Sequence, residues 1–329
     1  MENRQDSGIV VERQFHDLDE LAAAVLHADV EFVPLAATAR MDSRLMRVEL
    51  DEGTSLQIAE LDVPHLGHGV SHTGVYQLAL PLASTAPLLW NGHAVERGHA
   101  LLYRPGGEMQ STAQVADRCA MLTVPLTRFQ RTMVALWGTE LPRFAENCRV
   151  ARPTPAAAGP LVETLDRVHR VAREDPGSLA SVEARRGLTE QLLGLTVQAL
   201  DGLPDRPPER ERTLLSHSRI VGKAEEFMRA RLALPLYVAD LCQATGVSER
   251  TLRSAFRNVY GVGPNRFLKL RRLNQVRRVL QRAGAGTLVS EVATRHGFWD
   301  LGRFAGDYRR LFGESPSQTL RRADEPPRP

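Results

Sequence analysis

Residues 236–252 read LYVADLCQATGVSERTL, and this stretch decides the fold of the C-terminal third of the chain. A short amphipathic helix is expected to end at Gly246, because glycine tolerates the left-handed backbone that a tight turn requires. A second helix follows, and Ser248 is a suitable N-cap for it because its hydroxyl can accept a backbone N–H. The pattern predicts a helix-turn-helix unit.

The same pattern occurs a second time further along the chain. Residues 289–300 read VSEVATRHGFWD, with Gly297 at the expected turn. Two such units predict a protein that contacts two successive major grooves of DNA. We therefore expect recognition of DNA rather than catalysis.

The basic residues are concentrated in the part of the chain that holds these two units. From Thr213 onward there are 21 Lys and Arg against 10 Asp and Glu, a net charge of +11. The remainder has a net charge of −8, so the overall value of +3 hides an asymmetry. A basic module on an acidic body predicts that only one part of the protein binds nucleic acid.

Cysteine usage and hydropathy indicate the compartment. Cys119, Cys148 and Cys242 are scattered, with neither a disulfide framework nor metal-ligand spacing. The N-terminus shows no apolar segment of signal-peptide length, and no apolar run approaches the roughly eighteen residues of a membrane span. These features predict a cytoplasmic protein that does not associate with a membrane.

The first half of the chain is expected to be a β domain. Short apolar segments separated by turn residues favour an antiparallel sandwich or a small barrel. Asn91-Gly92, between two apolar runs, is the strongest hairpin signal. The predicted strands are 45–50, 55–61, 75–82, 86–90, 100–103 and 119–124.

Helical periodicity begins after Arg152 and predicts two helices, at about 159–173 and 179–201. They could form a dimer interface, or they could equally cover the barrel. A proline-rich, aperiodic segment follows and predicts a semi-rigid linker. The expected organisation is an N-terminal extension at 1–37, a sensory domain at 38–201, a linker at 202–215, a DNA-binding domain at 216–322 and a tail at 323–329.

The second helix of the first unit is the expected sequence reader. Leu252, Phe256 and Val259 share one face and should pack inward. The arginines of the opposite face can bind guanine edges or phosphates, although an ordinary solvated basic face would show the same pattern. The candidate DNA contacts here are Ser248, Glu249, Arg250, Arg253, Ser254 and Arg257.

The second helix of the second unit has a different character. Phe298, Phe304 and Tyr308 should form its inner face. Its outer face carries two glycines, which leave few side chains for reading bases but let the backbone approach DNA closely. We expect the first unit to set sequence preference and the second to add affinity. The candidate contacts here are Trp299, Gly302, Arg303, Gly306, Arg309 and Arg310.

A helix over residues 265–281 is expected to brace the two units. Its apolar positions are Phe267, Leu270, Leu273, Val276 and Leu280. Four arginines are expected to fill its remaining surface, namely Arg271, Arg272, Arg277 and Arg278.

Several motifs in residues 217–322 resemble those of the AraC/XylS-type transcriptional regulators. They are GVGPNRF at 261–267, RRL at 271–273, GF at 297–298 and YRRLFGESP at 308–316. LGRF at 301–304 and GESPS at 313–317 resemble the subgroup with a cupin-like N-terminal domain. The resemblance implies an α+β protein with a cupin-like β barrel, packing helices and a seven-helix C-terminal module. It also implies a small-molecule effector, homodimerisation, and activation through RNA polymerase.

The strands of the N-terminal domain supply the candidate ligand-binding residues. The inward residues of those strands are expected to include Leu78 and Leu80, and the tentative ligand contacts are Tyr76, Trp90 and Tyr103. Five histidines are interpreted as loop residues rather than metal ligands, namely His65, His68, His72, His93 and His99. No metal or other cofactor is expected, and Cys119 is expected to be packed and inert.

A ligand-responsive, sequence-specific transcription factor is the function that these patterns favour. One alternative is a cupin-type metalloenzyme fused to a DNA-binding tail, which would need a metal-binding constellation. The other is an architectural DNA-binding protein, whose N-terminal domain would lack a cavity.

Overall fold

Among the described residues of the computed structural model, two antiparallel sheets and four α-helices form the N-terminal part, and seven α-helices form the C-terminal part. The structure describes residues 8–37, 41–138, 147–201, 203, 209–231, 236–284 and 286–324. The strands are β1 Val10–Phe15, β2 Ala28–Pro34, β3 Ser43–Glu49, β4 Ser55–Leu61, β5 His65–Ser71, β6 Val75–Ser84, β7 Leu88–Trp90, β8 His93–Val95, β9 Ala100–Tyr103, β10 Glu108–Ala113, β11 Asp117–Pro125 and β12 Cys148–Ala151.

The strands divide into a larger and a smaller sheet. The larger has the order β1-β3-β4-β11-β6-β9-β12, and the smaller has the order β2-β5-β10-β7-β8. The predicted antiparallel β architecture is confirmed, and the two described sheets do not close into a continuous barrel. The three-residue strands β7 and β8 end the smaller sheet without pairing to the larger one, so the described strands form two facing sheets.

The Asn91-Gly92 turn is confirmed as a hairpin joining β7 to β8. Trp90 pairs with His93 across it, and both turn residues have positive φ, 47° at Asn91 and 80° at Gly92. Two successive residues with positive φ match the twist of the flanking strands, which is why Asn-Gly is favoured there.

Four helices accompany the sheets: α1 Leu18–Ala24, α2 Leu126–Trp137, α3 Pro155–Glu174 and α4 Val182–Leu200. The two predicted helices correspond to α3 and α4, whose apolar faces pack on the larger sheet. Leu161 and Leu165 of α3 and Leu192 of α4 share a core with Leu56 and Leu122 of that sheet. Covering the sheet is therefore one role of this helix pair.

The C-terminal helices are α5 Glu209–Arg229, α6 Val238–Thr245, α7 Glu249–Tyr260, α8 Pro264–Gln281, α9 Val289–Arg295, α10 Leu301–Phe312 and α11 Pro316–Asp324. These seven helices of the described region agree with the number that the resemblance implies. The brace predicted at 265–281 is α8, and its five apolar positions are buried.

Parts of the predicted N-terminal extension, linker and tail belong to strands and helices of the structure. Residues 10–34, expected in an extension, contribute β1, α1 and β2, because β1 pairs with β3 and β2 pairs with β5. In the expected linker, residues 204–208 lie outside the described residues and residues 209–215 belong to α5. The expected tail starts within α11, and residues 325–329 lie outside the described part.

The N-terminal and C-terminal parts share a hydrophobic core where they meet. Val33, Leu35 and Leu66 of the N-terminal region cluster with Val221 and Phe267 of the C-terminal helices. None of the helices that the structure describes combines the length and apolar character needed to cross a membrane.

Candidate DNA-binding surface and sensor cavity

The first helix-turn-helix unit is built from α6, a glycine turn and α7. Gly246 ends α6 in the left-handed conformation with φ of 71°. Ser248 then caps α7, as predicted, because its hydroxyl accepts a hydrogen bond from the Thr251 amide at 3.2 Å. Capping satisfies one of the amides that the first turn of a helix leaves unpaired.

The two faces of α7 are separated as the sequence predicts. Leu252, Phe256 and Val259 are fully buried. The candidate contact residues Ser248, Glu249, Arg250, Arg253, Ser254 and Arg257 are all exposed. Arg253 forms an ion pair of 2.7 Å with Glu249, one turn earlier on the same face. This exposed pair contributes little to stability, so Arg253 can exchange Glu249 for another anion such as a phosphate.

The second unit is built from α9, a turn at Gly297 and α10. Gly297 has a φ of 82°, and Asp300 caps α10 by accepting from the Arg303 amide at 2.9 Å. Phe304 and Tyr308 are buried as predicted, while Phe298 is partly buried against the same core.

The outer face of α10 is open and carries little side-chain volume. Trp299 is 72% exposed just before the helix, and Arg303 is exposed on its first turn. A Cβ added at Gly306 would meet nothing within 4 Å, and one added at Gly302 would meet only Asp300 Oδ1 at 3.6 Å. Packing within the protein therefore does not require glycine at either position.

The basic residues at the end of α10 are exposed, and one of them has a partner within the protein. Arg310 pairs with Asp307, which also binds the Lys269 ammonium group of α8 at 2.6 Å. Arg309, on the same turn, is exposed. Asp307 thus ties the second unit to the brace helix.

The four arginines of α8 do not fill an open surface, so this expectation is wrong: Arg271 is buried, and Arg272, Arg277 and Arg278 are partly buried. Arg271 is buried and donates to Glu31 Oε2 at 2.6 Å. Arg278 donates to Glu31 Oε1 at 2.7 Å and through Nε to Asp19 Oδ2 at 2.8 Å. The acidic residues of the N-terminal part thereby neutralise one side of the basic module. The sequence did not reveal this because the pairing residues lie more than 200 positions apart.

Glu225 of α5 lies at the centre of a buried polar network between the two parts of the protein. Its Oε1 accepts from the Tyr260 hydroxyl of α7 at 2.8 Å. Its Oε2 lies 2.8 Å from His68 Nδ1 on β5. Arg229 can only donate, so His68 Nε2, 3.0 Å away, is the acceptor in this contact.

The partners of Glu225 keep it ionised despite full burial. Burial alone would raise the pKa of this carboxyl, but His68, Arg271 and the Tyr260 hydroxyl outweigh it and lower the pKa. The same burial, together with the neighbouring Glu225, raises the pKa of Tyr260 well above its usual range. The tyrosine hydroxyl therefore remains a donor to the carboxylate.

A second set of hydrogen bonds extends the network to the β7–β8 hairpin. Gln110 of β10 accepts from the Ser218 hydroxyl of α5 at 2.6 Å. The Asn91 side-chain oxygen accepts from the backbone amide of Gln110 and, at 2.9 Å, from the Tyr103 hydroxyl. Gly92 beside it packs on the last turn of α7, where an added Cβ would come within 3.3 Å of the Asn258 carbonyl oxygen.

A cavity of about 120 Å³ lies between the two sheets, next to this network. Trp90 and Tyr103 line it, as the sequence analysis expected of ligand contacts. Tyr76 does not, and that expectation is wrong. Tyr76, Leu78 and Leu80 face the covering helices, with the Tyr76 ring 4.8 Å from that of Phe129. Side chains alternate along a strand, so the cavity-facing residues of β6 are the intervening ones.

The histidines are not all loop residues. His65 and His68 belong to β5, line the cavity and are buried, and His93 is buried in β8. β5 and β10 are not among the predicted strands, because glycine and polar residues interrupt their apolar pattern, and Gln110 of β10 is therefore not among the predicted site residues. Among the described residues, no group of three His, Cys, Asp or Glu side chains is placed to hold a metal ion. Burial raises the pKa of the Cys119 thiol in the cavity wall, in keeping with the inert role expected of it.

Comparisons with known proteins concern mainly the C-terminal region. Residues 241–322 match a family model described as a helix-turn-helix domain. The chain is 44% identical over 103 residues to the probable thc operon regulatory protein of Rhodococcus erythropolis, which covers 31% of each chain. It is 35% identical over 107 residues to the XylDLEGF operon transcriptional activator of Pseudomonas putida, which covers 32% of each chain. It thus spans about a third of the length of these curated relatives.

A solved structure of a probable AraC family transcriptional regulator from Rhodopseudomonas palustris is also similar. It is 37% identical and covers 32% of this chain and 99% of that chain, with a TM-score of 0.31. The two units and the match to the family model together identify residues 241–322 as a helix-turn-helix domain. In this domain the chain is similar to transcriptional regulators such as the XylDLEGF operon activator, in agreement with the AraC/XylS-type motifs of residues 217–322.

Proposed function

We propose that the protein is a ligand-responsive transcription factor whose helices α7 and α10 enter two successive major grooves. The observation that carries this proposal is the exposure of one face on each helix while the opposite face is buried in a common core. The brace α8 has 18 residues, which corresponds to about 27 Å at 1.5 Å per residue. That length suits two helices spaced by about one DNA turn, roughly 34 Å.

The two helices have different roles in this proposal. Arg250, Arg253 and Arg257 of α7 bind guanine edges and phosphates, and Glu249 is placed to accept from a cytosine amino group once Arg253 has left it. On α10, Gly302 and Gly306 allow the backbone to come close, while Arg303 and Arg309 contact phosphates. Trp299 supplies apolar contact at the start of the helix.

An effector in the cavity would act on α7 through the buried network. His68 and Gln110 line the cavity and also contact α5, while Tyr103 bonds to the hairpin that packs on α7. A ligand that binds more tightly to one arrangement of these side chains shifts the population of α7 positions. This mechanism requires differential contacts in the two arrangements, which these shared residues can provide.

Further parts of the proposal extend beyond the domain that the comparisons cover. The P. putida relative is described as a transcriptional activator, which supports activation through RNA polymerase for this chain. Homodimerisation and a cytoplasmic location complete the proposal, because a DNA-bound regulator acts where the chromosome is and commonly binds paired sites.

The proposal is tested by selecting a binding site from random duplexes with the purified chain and mapping the protected bases. We expect two protected major-groove segments per protomer, about one helical turn apart. Protection should fall steeply with salt, because arginines that contact phosphates release counterions. A single protected segment per protomer would contradict the two-helix model.

A further inference from the structure

The cavity between the sheets contains a carboxylate that the interdomain network does not use. Asp117 is the first residue of β11, whose inward positions Asp117, Cys119 and Met121 line the cavity. Gln77 and Ala79 of β6 lie on the same wall. Asp117 is 93% buried, since its relative exposure is 7%, and its Oδ1 has no hydrogen-bond partner within the protein.

Burying an ionised carboxylate costs free energy unless a hydrogen-bond donor or a positive charge lies beside it. Burial accordingly raises the pKa of Asp117, and the nearby His65 opposes the shift only in part. Asp117 also borders an open surface groove with Arg44 and Arg118. These arginines pair elsewhere, Arg44 with Asp42 and Arg118 with Asp166.

The remaining lining of the cavity favours a positive ligand. Its described residues include no lysine or arginine. Its other polar side chains are those of His65, His68, Ser111 and three glutamines. Gln57 and Gln110 already accept hydrogen bonds through Oε1, whereas Gln77 Oε1 has no partner within the protein and can accept from a ligand. The aromatic walls include Trp90 and Tyr103. Aromatic faces attract cations through their quadrupole. Behind the wall formed by His68 and Gln110, Arg271 opposes the charge of Glu225, and Arg229 donates to His68 Nε2.

Resting on the proposed function, we propose that the effector is a compact amine whose ammonium group binds Asp117 while its apolar part lies against the aromatic wall. An ammonium group gives Oδ1 the donor that it lacks and neutralises the buried charge. A carboxylate ligand would instead place a second negative charge near Asp117, in a described lining that holds no lysine or arginine to balance it.

The size of the cavity limits the ligand. An apolar cavity of about 150 Å³ in another protein accommodates benzene. A volume of about 120 Å³ therefore holds roughly five or six non-hydrogen atoms. Butylamine, 1-butanol and butyrate match this size and differ mainly in the polar end group, so they separate charge from shape.

The test is calorimetric titration of the full chain with these three compounds at pH 7. We expect butylamine to bind more tightly than 1-butanol, and butyrate to bind most weakly. Asp117→Asn keeps the shape of the side chain and should weaken butylamine about tenfold to a hundredfold. Glu163→Gln removes one negative charge from the exposed face of α3 and should leave the affinity for butylamine unchanged.

The outcomes separate this inference from the proposed function. Butyrate binding in preference to butylamine, no binding by any of the three compounds, or equal butylamine affinity in wild type and Asp117→Asn would each overturn the amine assignment. DNA protection is mapped on the same preparations without a ligand. Its presence keeps the regulator proposal in place when the amine assignment fails, and its absence contradicts the regulator proposal itself.

Stability provides an independent readout for Asp117. A carboxyl whose folded pKa is raised lowers stability at pH values above its unfolded pKa, so Asp117→Asn should melt at a higher temperature than wild type at pH 7. The variant thus remains folded for the titration. A lower melting temperature would show that Asp117 is bonded within the protein and would overturn the proposal.

Discussion

The two helix-turn-helix units differ both in the surface that they present and in their connection to the N-terminal sheets. α7 presents three exposed arginines. At its end, the Tyr260 hydroxyl donates to Glu225, and the Tyr260 backbone carbonyl accepts from the Thr112 hydroxyl of β10. α10 presents two glycines, and its end is held within the C-terminal domain by the bond between Tyr308 and Thr319. In the described chain, the hydrogen bonds and ion pairs that cross to residues 8–201 start from α5, α7 and α8.

This difference suggests that reading and regulation are combined on one helix. In the proposed mechanism, the helix that contacts bases is also the one whose position an effector in the cavity changes. The other helix adds affinity in this proposal and responds less to the effector. A ligand could then alter sequence-specific binding while general attraction to DNA persists.

The largest effect is expected from removing the buried link to α7. Glu225→Ala should lower the free energy of unfolding by about 3–5 kcal/mol, because His68 and the Tyr260 hydroxyl would lose their buried charged partner. Chemical denaturation measures the change. Glu226→Ala, its exposed neighbour on α5, is the matched control and should have little effect. Equal effects of the two substitutions would show that the network does not hold α7.

The next-largest effect is on the pH dependence of stability and involves the β7–β8 hairpin, which packs on α7. Burial lowers the pKa of His93 from its ordinary 6.5 to about 4. The folded protein therefore binds fewer protons than the unfolded chain between these values, and stability falls as pH falls from 6.5 to 4. His93 should account for about 3 kcal/mol of this loss.

Denaturation curves at pH 7 and pH 4 measure this effect. In His93→Asn, the difference in stability between the two pH values should be smaller than in wild type by that amount. His16→Asn, at an exposed position, should retain the wild-type difference. A His93→Asn variant with the full wild-type difference would contradict a buried neutral His93.

The smallest expected effect tests whether a glycine of α10 serves DNA binding rather than the stability of the fold. Gly306→Ala should raise the free energy of unfolding by about 1 kcal/mol, because alanine favours a helix interior and the site is open. Its affinity for DNA should fall if the α10 backbone approaches the groove closely. Gly194→Ala in α4 should give similar stabilisation without changing DNA affinity. Unchanged DNA binding in Gly306→Ala would show that α10 does not approach closely.

The C-terminal domain could be predicted closely from sequence because its signals are local. Glycine turns at Gly246 and Gly297, the Ser248 cap and the helical spacing of apolar residues each act within a few positions. The buried and exposed faces of α7 and the limits of α8 followed from the same rules, to within one residue for α8.

The N-terminal part was less predictable because its decisive contacts are distant in sequence. The choice of Tyr76 as a cavity residue selected the wrong face of β6, since period-two alternation does not say which face is enclosed. β5 and its histidines were missed because Gly67 and Gly69 interrupt the pattern, although β2 pairs along that whole strand. The pairing of Arg278 with Asp19 and Glu31 depends on tertiary structure alone.

The most direct test of the central comparison is a base-substitution scan of the selected DNA site with two variants, Arg257→Ala of α7 and Arg303→Ala of α10. We expect Arg257→Ala to lose discrimination at one base pair, by about 1–3 kcal/mol. Arg303→Ala should weaken binding to every sequence by a similar factor and reduce the salt dependence by the equivalent of about one phosphate contact. Loss of discrimination at one base pair in Arg303→Ala, with uniform weakening in Arg257→Ala, would contradict the assignment of reading to α7.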